Sequence, residues 1–346
     1  MGQGFPDAKV VRFLDNVGNP SRVLRHCANL EALWIHFYGV RTILQTPELM
    51  SVVQQQLTHL HLHKVYDDGN VYTLRLPSLV YLRLNLSLNS DEDESSCVFP
   101  LDIYMPEVTT IFLEGGDIAI DYALAIRVMI LSCRETLVNL LISSMSRPSA
   151  ILPLETLSQL PHLSAFGWSI DHFYLPFSET WAGGLEPTPI SRINLILLDL
   201  ESHHRCPYQR KLAATNCVEM VSGPGSRFSK IVLPLEWHDL EKTWVRACER
   251  LEDEDEFDED DPLPCAWSIL EHIDQHDVTI EDRNGVKMRE GVGKAFADRM
   301  RGYTASKTYV EKRFRKFRFA TGACSCCMVH RVTTGSTQVV RSLSSV

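Results

Sequence analysis

The apolar positions of this chain recur with one fixed spacing over roughly 200 residues, and this repeat organises the sequence. The stretch 57–65 shows the spacing most clearly, with Leu57, Leu60 and Leu62 at relative positions 1, 4 and 6. Positions 4 and 6 have the two-residue spacing of a β-strand, so their side chains point to one face of a sheet. Each repeat is therefore predicted to contain one strand with one buried face.

Eight units carry this pattern, and their first positions lie 22 to 35 residues apart, with a period near 28. Units of this kind cannot bury their apolar face alone and must stack on one another. The sequence thus predicts one elongated stack over most of the chain. The units are Leu30, Leu33, Ile35; Leu57, Leu60, Leu62; Leu79, Leu82, Leu84; Val108, Ile111, Leu113; Leu137, Leu140, Ile142; Leu163, Phe166, Trp168; Ile193, Ile196, Leu198; and Phe228, Ile231, Leu233.

The segments between the strands carry helical signals. Within one of them, Leu124, Val128 and Leu131 share one side of a helix and form its apolar stripe. Helices are predicted on this basis, or from N-terminal capping residues, at 47–56, 121–134 and 208–221.

Proline stands directly before three of the strands, as Pro77, Pro106 and Pro161, where its fixed φ sets the turn into the strand. With its period near 28, the strand-helix pattern of residues 21–235 resembles the leucine-rich repeat family, in its longer, helix-backed class. The prolines and the polar insertions are similar to those of the F-box-associated leucine-rich repeat proteins of fungi. The Asn or Cys that usually follows the strand in this family is replaced by residues such as Val65, so less regular turns are expected.

The resemblance implies an α/β fold: an irregular leucine-rich repeat solenoid with a curved parallel sheet on its concave side and helices on its convex side. It also implies a function, because in that family the repeats present a substrate to an SCF-type ubiquitin ligase and an F-box binds the adaptor subunit. The segment before Leu30 carries no F-box pattern. A role with the adaptor therefore follows from the resemblance of the repeats alone.

Beyond the repeats the composition changes. Residues 252–261 hold nine of the 44 acidic residues, and the remaining 35 acids nearly balance the 34 bases. The net charge of −10 therefore predicts no acidic or basic partner for the folded part. The predicted organisation is a lead-in at 1–20, the solenoid at 21–236, a capping helix at 237–251, an acidic linker at 252–264, a helix-strand extension at 265–284 and a basic tail without predicted structure at 285–346.

The residues that alternate with positions 4 and 6 are expected to form a grid on the exposed, concave face of the sheet. Exposed aromatic side chains together with arginine are typical of protein-binding hot spots. The alternative interpretation is that these residues have no binding role, because every repeat protein exposes some side chains on this face and loops or the tail cover them. The predicted partner-binding residues are Trp34, His36, His61, His63, Tyr81, Arg83, Phe112 and Glu114.

Two clusters resemble metal sites. His59 and His63 would lie about 13 Å apart along a strand, too far for one ion with bonds of about 2.0–2.1 Å. The segment 324–330 contains three cysteines and a histidine but lacks the second, distant ligand pair of a structural zinc site. No metal ion and no cofactor is therefore predicted.

The sequence contains no G-x-S-x-G, G-x-x-x-x-G-K-[ST] or H-E-x-x-H motif, so a non-enzymatic function is predicted, the recognition of a protein partner on the concave face. The alternative is a peripheral membrane or nucleic-acid-associated protein that acts through the basic-aromatic segment 307–319. The sequence shows no secretory signal and no membrane-spanning apolar run, and its cysteines are scattered. These features favour an intracellular location, in the cytoplasm or the nucleus, with free thiols.

Overall fold

The computed structural model describes residues 9–13, 24, 27, 29–36, 56–65, 71–86, 101–115, 120–143, 154–169, 192–198, 207–223, 226–242 and 263–305. These residues form a mixed α/β fold around a ten-stranded sheet. Every neighbouring pair of strands in that sheet is parallel. The predicted α/β class with a parallel sheet is therefore confirmed.

The strands follow the order of the repeats. Across the large sheet the order is β1-β2-β3-β5-β7-β8-β9-β10-β11-β12, whereas β4 and β6 form a separate parallel pair. Each repeat thus lies beside the next one, as the stacking of the predicted units requires. The strands are Val10–Phe13 (β1), Ala32–His36 (β2), His59–Val65 (β3), Tyr72–Arg75 (β4), Tyr81–Leu86 (β5), Leu101–Tyr104 (β6), Thr110–Gly115 (β7), Asn139–Ser143 (β8), Ala165–Ser169 (β9), Ile193–Leu198 (β10), Phe228–Val232 (β11) and Ile280–Glu281 (β12).

The same pair of backbone hydrogen bonds joins successive repeats where β2, β3, β5, β7, β8 and β9 begin. The carbonyl oxygen of Thr58 accepts hydrogen bonds from the N–H groups of Val80, at 2.8 Å, and Tyr81, at 3.0 Å. These two donors are the residue before the strand and its first residue. This forked contact holds neighbouring strands in one register, and it is repeated at the carbonyls of Lys9, Glu31, Val80, Thr109 and Val138.

The turns that the prolines predict are present. The turn at Pro77 is closed by a hydrogen bond from the N–H of Leu79 to the carbonyl oxygen of Leu76, at 3.2 Å. The turns at Pro106 and Pro161 are closed in the same way, at 3.3 and 3.4 Å. The proline therefore directs the chain into the strand that follows it.

Positions 4 and 6 form the core of the molecule. In β5, Leu82 and Leu84 are completely buried, and they alternate with the half-buried Tyr81 and Arg83. The predicted inward positions of the first six units and of the eighth are buried in the same way. Each such leucine or isoleucine contributes about 2 kcal/mol to folding by leaving water.

Helices and the small sheet supply the second layer. Their buried side chains share one core with positions 4 and 6 of the large sheet. We call the opposite face of the large sheet, which carries positions 3, 5 and 7, the open face. The helices are Ile120–Ser132 (α1), Leu154–Ser158 (α2), Pro207–Ser222 (α3), Leu263–Gln275 (α4) and Gly291–Ala305 (α5), and residues 237–242 are also helical.

Helices α1 and α3 confirm the helices predicted at 121–134 and 208–221, and nearly all of 47–56 lies outside the described residues. The stripe predicted for α1 is wrong. Leu124 and Val128 are both 60% exposed, and the core side of the helix carries residues such as Ile126 and Ile130 instead. Because α1 is apolar on nearly every side, its sequence fits two stripes equally well.

The register predicted for the seventh unit is also wrong. In β10, Leu195 and Leu197 occupy positions 4 and 6 and are completely buried, whereas Ile196 and Leu198 lie on the open face. Five of the six residues of β10 are apolar, so the hydrophobic pattern fits both registers. A slip of one residue exchanges the two faces of a strand, and here the pairing with β9 decides between them.

The first strand lies in the segment predicted as a lead-in, so the boundary at residue 21 is placed too late. Val11 pairs with Leu33, and Val11 and Phe13 therefore take positions 4 and 6 of an additional repeat. Position 1 of this repeat is Ala8 rather than a large aliphatic residue, which hides the repeat from a search for the full pattern.

The C-terminal part is more extensively folded than predicted. The extension expected at 265–284 is present as α4 and β12, and β12 adds to the sheet beside β11. The prediction of an unstructured tail from residue 285 is wrong for its first part, because Phe296 of α5 is completely buried. Its ring lies 5.2 Å from that of Trp237 and 5.8 Å from that of Trp267. The acidic run and the chain from residue 306 lie outside the described residues.

The packing of α5 predicts that Phe296→Ala destabilises the protein by about 3–5 kcal/mol, because the substitution leaves a cavity between two tryptophan rings. Chemical denaturation followed by tryptophan fluorescence measures the change. Val292→Ala on the same helix is the matched control, since Val292 is 57% exposed, and it should change the stability by less than about 0.5 kcal/mol. Equal stabilities of the two variants would contradict the packing of α5.

Candidate interaction surface

The strand register places one residue of each strand in a single row across the open face. Neighbouring members of this row are about 4.8 Å apart, the spacing of paired strands. We call it the central row. Its first five members bear a charge or a ring, and most of the others are aliphatic. In order, the row is Arg12, Trp34, His61, Arg83, Phe112, Leu141, Gly167, Ile196, Val232 and Glu281.

Two arginines of the central row stack on aromatic rings. The guanidinium of Arg12 lies 5.3 Å from the ring centre of Trp34, and that of Arg83 lies 4.6 Å from the ring centre of Phe112. Both distances are within the range of cation–π attraction. Arg83 also donates two hydrogen bonds to Glu114, one of them from Nε at 3.0 Å. This two-pronged ion pair fixes the guanidinium over the ring.

His61 lies between Trp34 and Arg83 in the central row. Its Nε2 atom is buried and has no hydrogen-bond partner among the described residues, and its ring meets that of His63 edge-on at 6.1 Å. Burial, with a further contribution from the charge of Arg83, lowers the pKa of His61 to about 4. The imidazole is therefore neutral at pH 7, and the positive charge of the row comes from its arginines.

Beside the central row, Tyr81 and His59 form a second stacked pair, with ring centres 5.8 Å apart. Burial raises the pKa of the Tyr81 hydroxyl, so the phenol stays neutral over the physiological pH range. Trp34 is 38% exposed although it is a large apolar side chain. This part of the open face thus presents rings that solvent still reaches.

The structure brings most of the predicted site residues together. Four of them belong to the central row, Glu114 is joined to it by its ion pair with Arg83, and Tyr81 and His63 lie beside it. His36 is in register with His63, and its side chain lies outside the described part.

Arg12 was not among the predicted residues, because its strand was assigned to the lead-in. One signal could have found it. Val11 precedes Leu33 by 22 residues, the same separation as between Leu60 and Leu82.

The central row is covered at Gly167 by two leucine side chains. A Cβ atom on Gly167 would lie 2.5 Å from Cδ2 of Leu141 and 3.2 Å from Cδ1 of Leu198, so the two leucines meet over the glycine. Gly167 is buried as a result. The two exposed members of the central row, Arg12 and Trp34, lie in its aromatic part, which spans β1, β2, β3, β5 and β7.

The two other segments with a candidate function lie near the C-terminal end of the sequence. The basic-aromatic segment 307–319 and the cysteine cluster 324–330 both lie outside the described residues. Within the described ranges, no three His, Cys, Asp or Glu side chains form a group that could hold a metal ion. In the same ranges, every helix is too short or too polar to cross a lipid bilayer.

Comparison of the chain with protein-family models, with curated proteins and with solved structures gives no match. Function therefore has to be inferred from the residues of the open face and their geometry.

The lowered pKa of His61 predicts a specific dependence of stability on pH. The unfolded chain takes up a proton near pH 6.5, whereas folded His61 takes it up near pH 4. Between these values the unfolded state binds more protons, so this histidine makes the protein less stable as the pH falls from about 6.5 to about 4. His61→Gln should reduce the fall in Tm over this window, as measured by thermal unfolding at a series of pH values.

His162→Gln is the control for this measurement, because His162 is exposed on the turn before β9. It should leave the dependence of Tm on pH unchanged. A histidine NMR titration gives an independent reading: the resonance that disappears in His61→Gln should titrate near pH 4. Titration of that resonance near pH 6.5 would show that His61 is not buried as described.

Proposed function

We propose that this chain is a leucine-rich repeat solenoid that binds another protein on the open face of its large sheet and has no catalytic activity of its own. The forked hydrogen bonds between repeats and the unbroken strand order support the repeat assignment. The turn at the proline before three of the strands supports it further. The open face corresponds to the concave side of such a solenoid.

One observation carries the proposal: the aromatic part of the central row, where Arg12 stacks on Trp34 and Arg83 stacks on Phe112 around a neutral His61. Aromatic and arginine side chains dominate the energetic centres of protein interfaces. Here their conformations are already restricted by stacking and by the ion pair of Arg83 with Glu114. A partner that covers this surface therefore loses little side-chain entropy on binding.

By resemblance, we further propose that the partner is a substrate and that the chain serves as a recognition subunit of an SCF-type ubiquitin ligase inside the cell. Two cysteines of the described part, Cys133 and Cys217, are buried free thiols. Free thiols are typical of the reducing interior of cells. Adaptor binding would then require an F-box supplied by another segment or another chain.

The double substitution Trp34→Ala with Phe112→Ala should abolish capture of the partner. It removes both rings on which the arginines stack, and truncation of one hot-spot residue costs about 2 kcal/mol or more. Affinity capture with the tagged protein, followed by quantitative mass spectrometry, should show a loss of at least about tenfold in the specific partner. The double variant and its control must both retain the Tm of the wild-type protein for their capture to be compared.

The matched control is Leu124→Ala with Val128→Ala, which removes two exposed apolar side chains of α1 in the other layer. It should leave capture unchanged. A chain that ends at residue 305 keeps α5 and its packing while removing the basic-aromatic segment. Capture that survives the double substitution in the row and disappears with this truncation would refute the open face as the binding surface and favour the segment 307–319.

The ligase role has a separate test. A direct binding measurement between the purified chain and the adaptor subunit of SCF ligases, by calorimetry, should give a signal if the chain itself carries an adaptor-binding element. Without binding, the proposed recognition role is retained only if the adaptor is recruited through a second protein, which would have to appear in the captured complex.

A further inference from the structure

The two edge strands of the ten-stranded sheet, β1 and β12, differ in the backbone contacts on their outer sides. At the β12 edge, the chain folds back along the strand: Met288 donates its N–H to the carbonyl oxygen of Ile280 at 2.9 Å, and Asp282 donates to Val286 at 3.0 Å. The first of these bonds occupies the outward-facing carbonyl of β12, and the second pairs the residue directly after the strand. At the other end, β1 pairs with β2, and no described strand lies on its outer side. Unpaired sheet edges are sites where a further strand can add.

The backbone of β1 shows which groups this edge presents. The carbonyl oxygen of Lys9 accepts hydrogen bonds from Glu31, at 2.8 Å, and Ala32, at 2.9 Å, so residue 9 faces β2. Successive residues of a strand direct their N–H and C=O groups to opposite sides. Val10 and Arg12 therefore direct theirs outward. The side chain of Val10 is 57% exposed, so solvent reaches the open face beside this edge.

The charges of the sheet show a second asymmetry. Three cations on or next to strands of the sheet form ion pairs with a carboxylate of the neighbouring repeat. These pairs are Lys9 with Glu31, Arg83 with Glu114, and Lys230 with Glu281. Arg12 is exposed and stacks on Trp34, and no acidic side chain of the described residues pairs with it. Its strand, β1, is the edge strand on whose outer side no described strand lies.

We infer that β1 accepts an additional strand from the protein partner, and that this strand carries an Asp or Glu in register with Arg12. The added strand would satisfy the backbone groups of Val10 and Arg12 and would extend the central row by one member. Its alternate residues should be apolar, because they would continue the face on which Val11 packs against the core. This inference rests on the proposed function, since it specifies how the partner is bound.

A second copy of this chain fits the edge less well. Pairing of two β1 strands would bring two copies of Arg12 together, and like charges on opposite strands destabilise a sheet. The strand of a partner with a carboxylate avoids this repulsion. An acidic, alternating segment is therefore the occupant that the charges favour.

The test uses the full chain and two fluorescein-labelled peptides with the alternating sequence Thr-Val-Thr-Val-Glu-Val-Thr-Val, or the same sequence with Lys in place of Glu. Fluorescence polarisation should show tighter binding of the Glu peptide to the wild type. Arg12→Glu should reverse the preference, and each mismatched charge should weaken binding by about fivefold, the effect of one cross-strand charge pair. Binding of neither peptide at millimolar concentration would overturn the inference, and so would equal binding of both.

Val10→Pro tests the backbone contribution, because proline removes one outward N–H and proline is tolerated on edge strands. It should weaken binding of the Glu peptide by about fivefold or more, whereas Val10→Thr should leave it unchanged. Unchanged binding to Val10→Pro would mean that the peptide does not add to β1. If Val10→Pro lowers the Tm, the inference is judged only by whether Arg12→Glu reverses the preference between the Glu and Lys peptides.

Phe112→Ala separates this inference from the proposed function. Phe112 lies four strands from β1 in the sheet, so its loss should leave peptide binding within twofold of the wild type. Normal peptide binding together with undiminished capture of the partner by Phe112→Ala would refute the open-face function alone. Capture of a partner that survives Arg12→Glu and Val10→Pro would refute strand addition alone.

Discussion

The forked hydrogen bond at the start of six successive strands, from β2 to β9 of the large sheet, is the contact on which the rest of the structure depends. At each of these starts one carbonyl oxygen, such as that of Thr58, accepts from two successive N–H groups of the next repeat and so fixes where that strand begins. With the starting point fixed, every position 4 and 6 falls on one face, and a variable loop between repeats has no effect on register. The uneven spacing of 22 to 36 residues between successive position 4 residues, from Val11 to Ile231, is therefore compatible with a regular core.

The same constraint creates the surface on the other face. Residues far apart in the chain become neighbours about 4.8 Å apart only because their strands are in register. Arg83 and Phe112 stack for this reason, and the ion pair of Arg83 with Glu114 runs between the same two strands. A shift of one residue in either strand would turn all of these side chains into the core. The core and the candidate binding surface are thus stabilised by one set of backbone contacts.

The sequence predicts this fold well where apolar and polar residues alternate, as in Leu60, His61 and Leu62, since only one register then buries the leucines. It fails where that contrast is missing. The strand β10 and the helix α1 are apolar on both sides, and tertiary contacts choose the face. Arg12 could not be assigned to the surface without β1, and the repeat that contains β1 has the small residue Ala8 at position 1. The pKa of His61 is a further property that no local pattern contains, because it depends on burial among neighbouring strands.

The charge state of the central row indicates which interactions would supply binding energy. His61 is neutral at pH 7, and Glu114 offsets Arg83, so Arg12 carries the one charge of the aromatic part without a described counterpart. A surface with so little net charge attracts a partner weakly over distances beyond the Debye length of about 8 Å. Affinity would then come from the area of the rings, and Arg12 would select the orientation of the partner by requiring a carboxylate at the β1 edge. Recognition by apolar area with one charged contact at the sheet edge differs in kind from attraction by a basic segment, which would act at a distance and without a fixed register.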